Sequence, residues 1–219
     1  MKRLLCLLGT LCLLAFGAGG QGALASSLVQ SVALTQEDQA HLDRVEAYLN
    51  QLGSLQARFV QISSNGAYAE GEVLVDRPGK MRFEYDPPQT ILLIANGLSL
   101  LYYDRELKQS SYLPLWETPL WFLVREEVKL GGELEVVSIE QALGTLTLSM
   151  RDADSPELGQ VTLIFSDNPL SLRKWEITDA QGVLTQVSLI NPQYGVEIDE
   201  EKFNHNSLSV DGSKGDNRR

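Results

Sequence analysis

Few side chains here could make or break a bond. The 219-residue chain holds two histidines and two cysteines beside 29 Asp and Glu. His41 lies near the start of a polar, helix-patterned stretch, and His205 lies in the C-terminal segment. A Ser-His-Asp relay needs one of them buried beside a serine, and nothing around either suggests it. A zinc site needs more His or Cys than the chain offers. Cys6 and Cys12 both fall in an apolar leader, so the processed chain has no thiol for a disulfide, a nucleophile or a metal. No Gly-rich phosphate loop is present. Carboxylates are plentiful, at Glu70, Glu72, Glu84, Asp86, Glu197, Asp199, Glu200 and Glu201. A facing pair could run glycoside hydrolysis by general acid–base work. Solvated strand faces are the plainer reading of carboxylates in an acidic chain. The chemistry points away from an enzyme and calls for no cofactor or metal; a polysaccharide hydrolase is the enzymatic alternative.

Charge narrows the partners. The net charge is −11, and no basic patch is interleaved with aromatics. Such a surface repels nucleic-acid phosphates and anionic lipid head groups, so nucleic acid is not an expected partner. The leader explains where the chain works. Lys2 and Arg3 precede an apolar run, Leu4 to Phe16, and Ala23-Leu24-Ala25 is an A-x-A cleavage site. Residues 1–25 read as a secretory signal peptide with Ser26 as the mature start. Leu11 before Cys12 argues against a lipidation signal, which wants a small residue there. Processing leaves 194 residues, with 16 basic against 29 acidic side chains and a net charge of −13. That length suits one domain, over 26–206, able to stand without disulfides. The tail 207–219 is polar and expected to fray.

The elements that would position a site are mostly strands. Residues 35–53 read as one helix, with Thr35 as N-cap, Glu37 and Asp38 in the first turn, and Gly53 past the end. Leu42, Val45, Leu49 and Leu52 form a narrow apolar stripe, so that helix lies on a surface. Beyond Gly53 the pattern has period two. Candidate strands are 54–63, 67–76, 80–86, 90–95, 98–104, 108–113, 133–139, 145–151, 159–165, 172–178 and 183–190, separated by turn residues such as Arg77-Pro78-Gly79 and Asn96-Gly97. About eleven short strands suggest an antiparallel meander. Residues 117–132 interrupt it as a second expected helix, with Thr118 as N-cap, Pro119 at the first position and Gly131 or Gly132 at its end. Its run of Leu120, Trp121, Phe122, Leu123 and Val124 is too rich for one face, so part of it must meet a second apolar surface.

That surface is the dry side of the sheet. In the stretch 80–86 Met81, Phe83 and Tyr85 alternate with Lys80, Arg82 and Glu84. Phe59 joins them, as do Leu93, Leu100 and Tyr102 by the pairing that a two-residue Asn96-Gly97 turn imposes. These residues are either plain core or the wall of an apolar cavity plugged by the two helices. The excess apolar face of the second helix favours a lidded, partly vacant cavity.

The same residues resemble a known family. Phe59-x-Gln61, Gly71, Arg77-Pro78-Gly79, Met81-x-Phe83-x-Tyr85 with Pro87, Asn96-Gly97, Tyr102-Tyr103-Asp104, Thr118-Pro119-Leu120 and Asp199-x-x-Lys202-Phe203 occur in the order and spacing of LolA, the periplasmic carrier of lipoproteins between the membranes of Gram-negative bacteria. The resemblance spans roughly residues 36–204. It implies a mainly β, α+β fold: an incomplete antiparallel barrel of about 11 strands with an α-helical lid enclosing an apolar cavity. It implies a non-enzymatic chaperone that works as a monomer in the periplasm. Its expected partners are acylated lipoproteins, an inner-membrane lipoprotein-releasing transporter, and an outer-membrane acceptor or the membrane itself. It implies that Arg77 latches the lid, and that Phe59, Met81, Phe83, Tyr85, Leu93, Leu100, Tyr102, Leu120, Trp121 and Phe122 contact acyl chains. After Phe203 the sequence Asn204-His205-Asn206-Ser207 departs from the family's strand and proline-glycine stretch. A lipid- or lipoprotein-sensing module of the same fold is the alternative.

Overall fold

All eleven alternating runs become strands. The structure is a computed structural model that describes residues 34–204 except 98, 119, 120 and 133. The leader 1–25, the tail 207–219, His205, Pro119 and Leu120 lie outside the described residues. The strands are β1 (Ser54–Ser63), β2 (Tyr68–Asp76), β3 (Lys80–Tyr85), β4 (Ile91–Asn96), β5 (Ser99–Asp104), β6 (Gln109–Pro114), β7 (Leu134–Ala142), β8 (Thr145–Asp152), β9 (Gly159–Ser166), β10 (Ser171–Asp179) and β11 (Leu184–Tyr194). They form one antiparallel sheet in the order β6-β5-β4-β3-β2-β1-β11-β10-β9-β8-β7. This is two meanders joined where the first strand pairs with the last, rather than one meander. Phe59 lies opposite Leu189 across that junction.

The sheet is strongly curled. Phe83 on β3 and Trp175 on β10 are four strand spacings apart, about 19 Å along a flat sheet. Their rings nevertheless meet edge to face, with centroids 6.2 Å apart. Inner residues of both halves belong to one buried cluster with Leu42, Val45 and Leu49 of the first helix. The free edges are β6 and β7, and residues 115–133 connect them.

Hairpin β4–β5 corrects the expected register. It pairs Ala95 with Leu100 and Leu93 with Tyr102, two residues away from the pairing of a two-residue Asn96-Gly97 turn. Of those two residues Gly97 takes the left-handed backbone, with φ of 92°. The shift is even, so Leu93, Leu100 and Tyr102 keep their common face.

Helix α1 (Gln36–Gln51) starts as read. The Thr35 hydroxyl accepts from Asp38 N at 3.1 Å, and the Asp38 carboxylate accepts from Thr35 N at 2.8 Å, a reciprocal capping box. Its other face is tied to the β9–β10 turn. Arg44 donates to the Asp167 carboxylate at 2.8 Å, Gln141 donates to the other carboxylate oxygen, and the Tyr48 hydroxyl accepts from Leu172 N at 3.0 Å. Asp167 is buried. These donors, Arg44 first, hold its carboxyl below the usual carboxylate range. A depressed carboxyl stabilises the fold above its unfolded pKa of about 4 and loses that contribution as pH falls through the native value. Asp167→Asn therefore lowers the melting temperature at pH 7. The gap from wild type narrows progressively below about pH 4 in thermal scans; a gap unchanged by acid would exclude this linkage.

The second helix is far shorter than expected. Residues Leu115–Glu117 form a 3-10 turn and Trp121–Val124 a single helical turn, α2; the 117–132 helix is not there. Tertiary contacts win over the local pattern. Val128 is fully buried, and Asn50 of α1 grips its main chain as a strand partner would, donating to Val128 O at 2.9 Å and accepting from Val128 N at 2.8 Å. Leu130 N donates to the Glu46 carboxylate at 2.7 Å. An α-helix through 125–130 would have to give up those partners. A smaller cluster covers the outer face, where Phe203 packs on Leu74, Leu92 and Ile94. Arg82 fixes it by donating to Lys202 O at 3.0 Å.

Candidate functional site

Arg77 stands at the end of β2, at the rim between the sheet and the segments above it. Its own N–H donates to Gly53 O at 2.8 Å, which sets the backbone. Its guanidinium donates to four carbonyls. Nε and Nη2 both reach Arg125 O, at 3.0 and 2.5 Å; Nη2 reaches Glu126 O at 3.3 Å; Nη1 reaches Leu52 O at 3.3 Å and also bonds Leu49 O. Leu49 and Leu52 end α1, where carbonyls lack helical partners. Arg125 and Glu126 follow α2. A planar fork with five donors can serve two chain ends at once, which an ammonium cannot match. Burial, and then the Arg125 charge, lower the Arg77 pKa, yet a guanidinium stays charged. The next turn residue adds a further tie, with Gly79 N donating to Val124 O at 2.7 Å.

These polar ties on the segment 121–130 all run to its main chain. Asn50 and Glu46 are tethers of this segment that the sequence reading missed. Their signal was two polar side chains four apart on α1, beside the apolar stripe.

Below this lid the interior is apolar. Phe59, Met81 and Phe83 are buried, at 1%, 0% and 2% exposure. Phe59 meets Phe83 and Tyr85 edge to face at 5.4 and 5.2 Å, and Leu100 is buried beside them. Leu115, Phe122, Leu123, Val124 and Val128 fill the space between the sheet faces. The interior is therefore occupied by the chain's own side chains rather than partly vacant. An empty apolar chamber forfeits dispersion contacts, and the lid supplies them.

Two clefts remain. One, of about 140 Å³, lies between Trp116, Trp121 and Phe122 on one side and Leu134, Met150 and Val161 on the other. The second, of about 250 Å³, is lined by Gln61, Tyr68, Tyr85, Leu93 and Tyr102 at the far end of the strands. Burial pushes the Tyr85 hydroxyl up to about 12, and it donates to Gln61 at 2.8 Å. Both clefts are smaller than the about 300–1,000 Å³ of ordinary ligand pockets. The expected contact residues therefore divide in three. Phe59, Met81, Phe83 and Leu100 are packed core; Tyr85, Leu93 and Tyr102 line the far cleft; Trp121 and Phe122 line the near one.

One interior atom stands out. The indole N–H of Trp175 is the only fully buried side-chain polar atom without a partner among the described residues. Among those residues the one buried carboxylate is Asp167, already bonded to Arg44. Asp86 and Glu84 pair with arginines, Arg58 in the first case, Arg82 and Arg105 in the second. Glu72 lies directly opposite Glu84, and Arg58 also reaches Glu70 at 4.0 Å; Asp86 and Glu84 are engaged by arginine rather than left as the free acid pair of glycoside cleavage.

Residues 50–206 match the family model described as outer membrane lipoprotein carrier protein LolA. An outer-membrane lipoprotein carrier protein of Pseudomonas aeruginosa is 35% identical over 182 residues, 76% of this chain and 84% of that one. One from Azotobacter vinelandii is 25% identical over 190 residues, 82% of this chain and 90% of that one. The fold is shared with a crystal structure of a putative outer membrane lipoprotein-sorting protein domain from Vibrio parahaemolyticus. Its TM-score is 0.50 at 11% identity, with 77% of this chain and 97% of that chain covered.

Proposed function

Because the chain belongs to the LolA family of outer membrane lipoprotein carriers, we propose that it is a periplasmic chaperone that shelters lipoprotein acyl chains on the inner face of its sheet. Residues 1–25 direct its export. It receives cargo from an inner-membrane lipoprotein-releasing transporter and yields it to an outer-membrane acceptor or to the membrane, working as a monomer. The reading rests above all on Arg77, whose one guanidinium clasps the end of α1 and the lid over an apolar interior.

Opening follows from the geometry. Release of the Arg77 contacts frees the lid from the β2–β3 turn, and withdrawal of Phe122, Leu123 and Val124 vacates the space they fill. Acyl chains then take their place against Phe59, Met81, Phe83 and Leu100, spreading toward Tyr85, Leu93 and Tyr102. Trp121 and Phe122 cover the chains from above. The chain's own plug keeps this wall dry when no cargo is held, so the empty carrier does not aggregate.

Energetics favour a hand-over over extraction. A sixteen-carbon chain gains roughly 12 kcal/mol on leaving water, at about 0.8 kcal/mol per methylene. A bilayer offers the same gain, so affinity alone cannot pull cargo out, and an energy-driven step upstream is required. The acidic surface speeds docking to basic faces of partners and discourages adhesion to anionic membranes.

Native mass spectrometry of the protein recovered from the periplasm tests the reading. Adducts with the mass of acylated polypeptides are expected, and they should disappear when Phe83→Glu places a charge on the inner wall. Protein that carries no acylated adduct during active lipoprotein synthesis would refute it.

A further inference from the structure

Among the described residues, the interior holds one buried donor with nothing to donate to. Trp175, on β10, has no exposed surface, and its indole Nε1–H has no acceptor. Its neighbours in the sheet are Val187 on β11 and Leu163 on β9, both apolar. Across the interior it meets the Phe83 ring at an interplanar angle of 87°, which offers an N–H at most a weak contact with a π face. Two hydroxyl donors bordering this core are satisfied. Tyr85 bonds Gln61, and Tyr194 bonds the Leu172 carbonyl. Orphaned buried donors are rare and call for a reason. Phenylalanine or leucine would fill this position without the unmet N–H.

The reason lies in what enters the interior. An acyl chain is joined to its carrier through a carbonyl, a strong acceptor that hydrocarbon lacks. We propose that Trp175 donates its indole N–H to an acyl carbonyl of bound cargo, so that the interior distinguishes acyl esters or amides from plain alkyl chains. This rests on the carrier reading above. The hydrogen bond is absent in the closed, empty protein and is made only when the lid's side chains give way to cargo. Trp175 is then a specificity-determining residue in a wall that is otherwise indifferent to chemistry.

Three synthetic lipopeptides test it with the full chain. One carries two palmitoyl esters on a glyceryl-cysteine with a free α-amine. The second is its dialkyl ether, without carbonyls. The third is the diether with an N-palmitoyl amide. Titration calorimetry of wild type should find the diester about tenfold tighter than the diether, the worth of one hydrogen bond. In W175F that ratio should fall to about one, whatever happens to absolute affinity. If the amide is the carbonyl that matters, the N-palmitoyl diether, and not the diester, shows the dependence on Trp175. The wild type alone gives a second readout. Its three tryptophans yield three indole N–H resonances, and that of Trp175 should move downfield with a carbonyl-bearing probe but not with the diether. Equal affinities for all probes, or a preference that survives W175F, overturns this inference and leaves the carrier reading standing. Wild type that binds none of the three overturns both.

Discussion

Arg77→Leu leaves a folded protein whose lid no longer stays shut. Amides of 121–130 exchange with solvent about a hundredfold faster than in wild type, and under the proposed carrier function the passage of lipoprotein falls severely. The side chain is half-buried and serves four carbonyls on two chain ends. Leucine satisfies none of them. An unmet buried acceptor costs about 1–3 kcal/mol, but water can reach some of these at the rim. A net of about 3 kcal/mol is therefore expected, and it corresponds to roughly two decades in the closed-to-open ratio. The loss falls on closure and not on the sheet, because β2 keeps its pairing with β1 and β3. Hydrogen exchange read by mass spectrometry separates the two. Wild-type protection over 121–130, with wild-type transfer, would remove Arg77 from the mechanism.

Gly71→Ala has the largest expected effect on stability. Gly71 sits directly across from Phe59 on β1 and Tyr85 on β3. A Cβ there would lie 2.2 Å from the Glu84 carbonyl oxygen and 2.6 Å from the Phe59 ring. The ring lies over the glycine, covering backbone that a side chain would otherwise cover. Neither obstacle yields cheaply. The carbonyl belongs to the β3 backbone, and Phe59 is wedged between Phe83 and Tyr85. Overpacking costs typically 1–3 kcal/mol, and this site belongs at the upper end. At about 2–4 °C per kcal/mol for a domain of this size, the melting temperature drops by about 6–12 °C. Calorimetry that finds the variant within 2 °C of wild type would mean that the strands part here more easily than their register implies.

The two variants touch what was easiest and hardest to read in the sequence. Period-two alternation is a property of each strand alone, so all eleven strands were legible, and so was the N-cap at Thr35. Arg77 was legible only through the order of its neighbouring motifs, since an arginine before Pro-Gly could equally be a solvated turn. The β1–β11 pairing was not legible, because nothing local in residues 54–63 names a partner some 130 residues away. The lid misled for a related reason. Residues 117–132 carry helix-forming residues between a proline and two glycines, but Asn50 and Glu46 recruit their main chain instead. Gly71 looked like one more strand glycine, since its role depends on where the Phe59 ring falls. The filled interior was invisible in principle. Alternation reports which face is dry and says nothing about what lies against it.

The junction of the first strand with the last governs how the molecule comes into being. Leu55 lies beside Tyr194, so the two halves of the sheet cannot zip together until nearly the whole chain is available. Sequence-distant closure of this kind is slow. A polypeptide delivered N-terminus first would remain open until synthesis or threading is nearly complete.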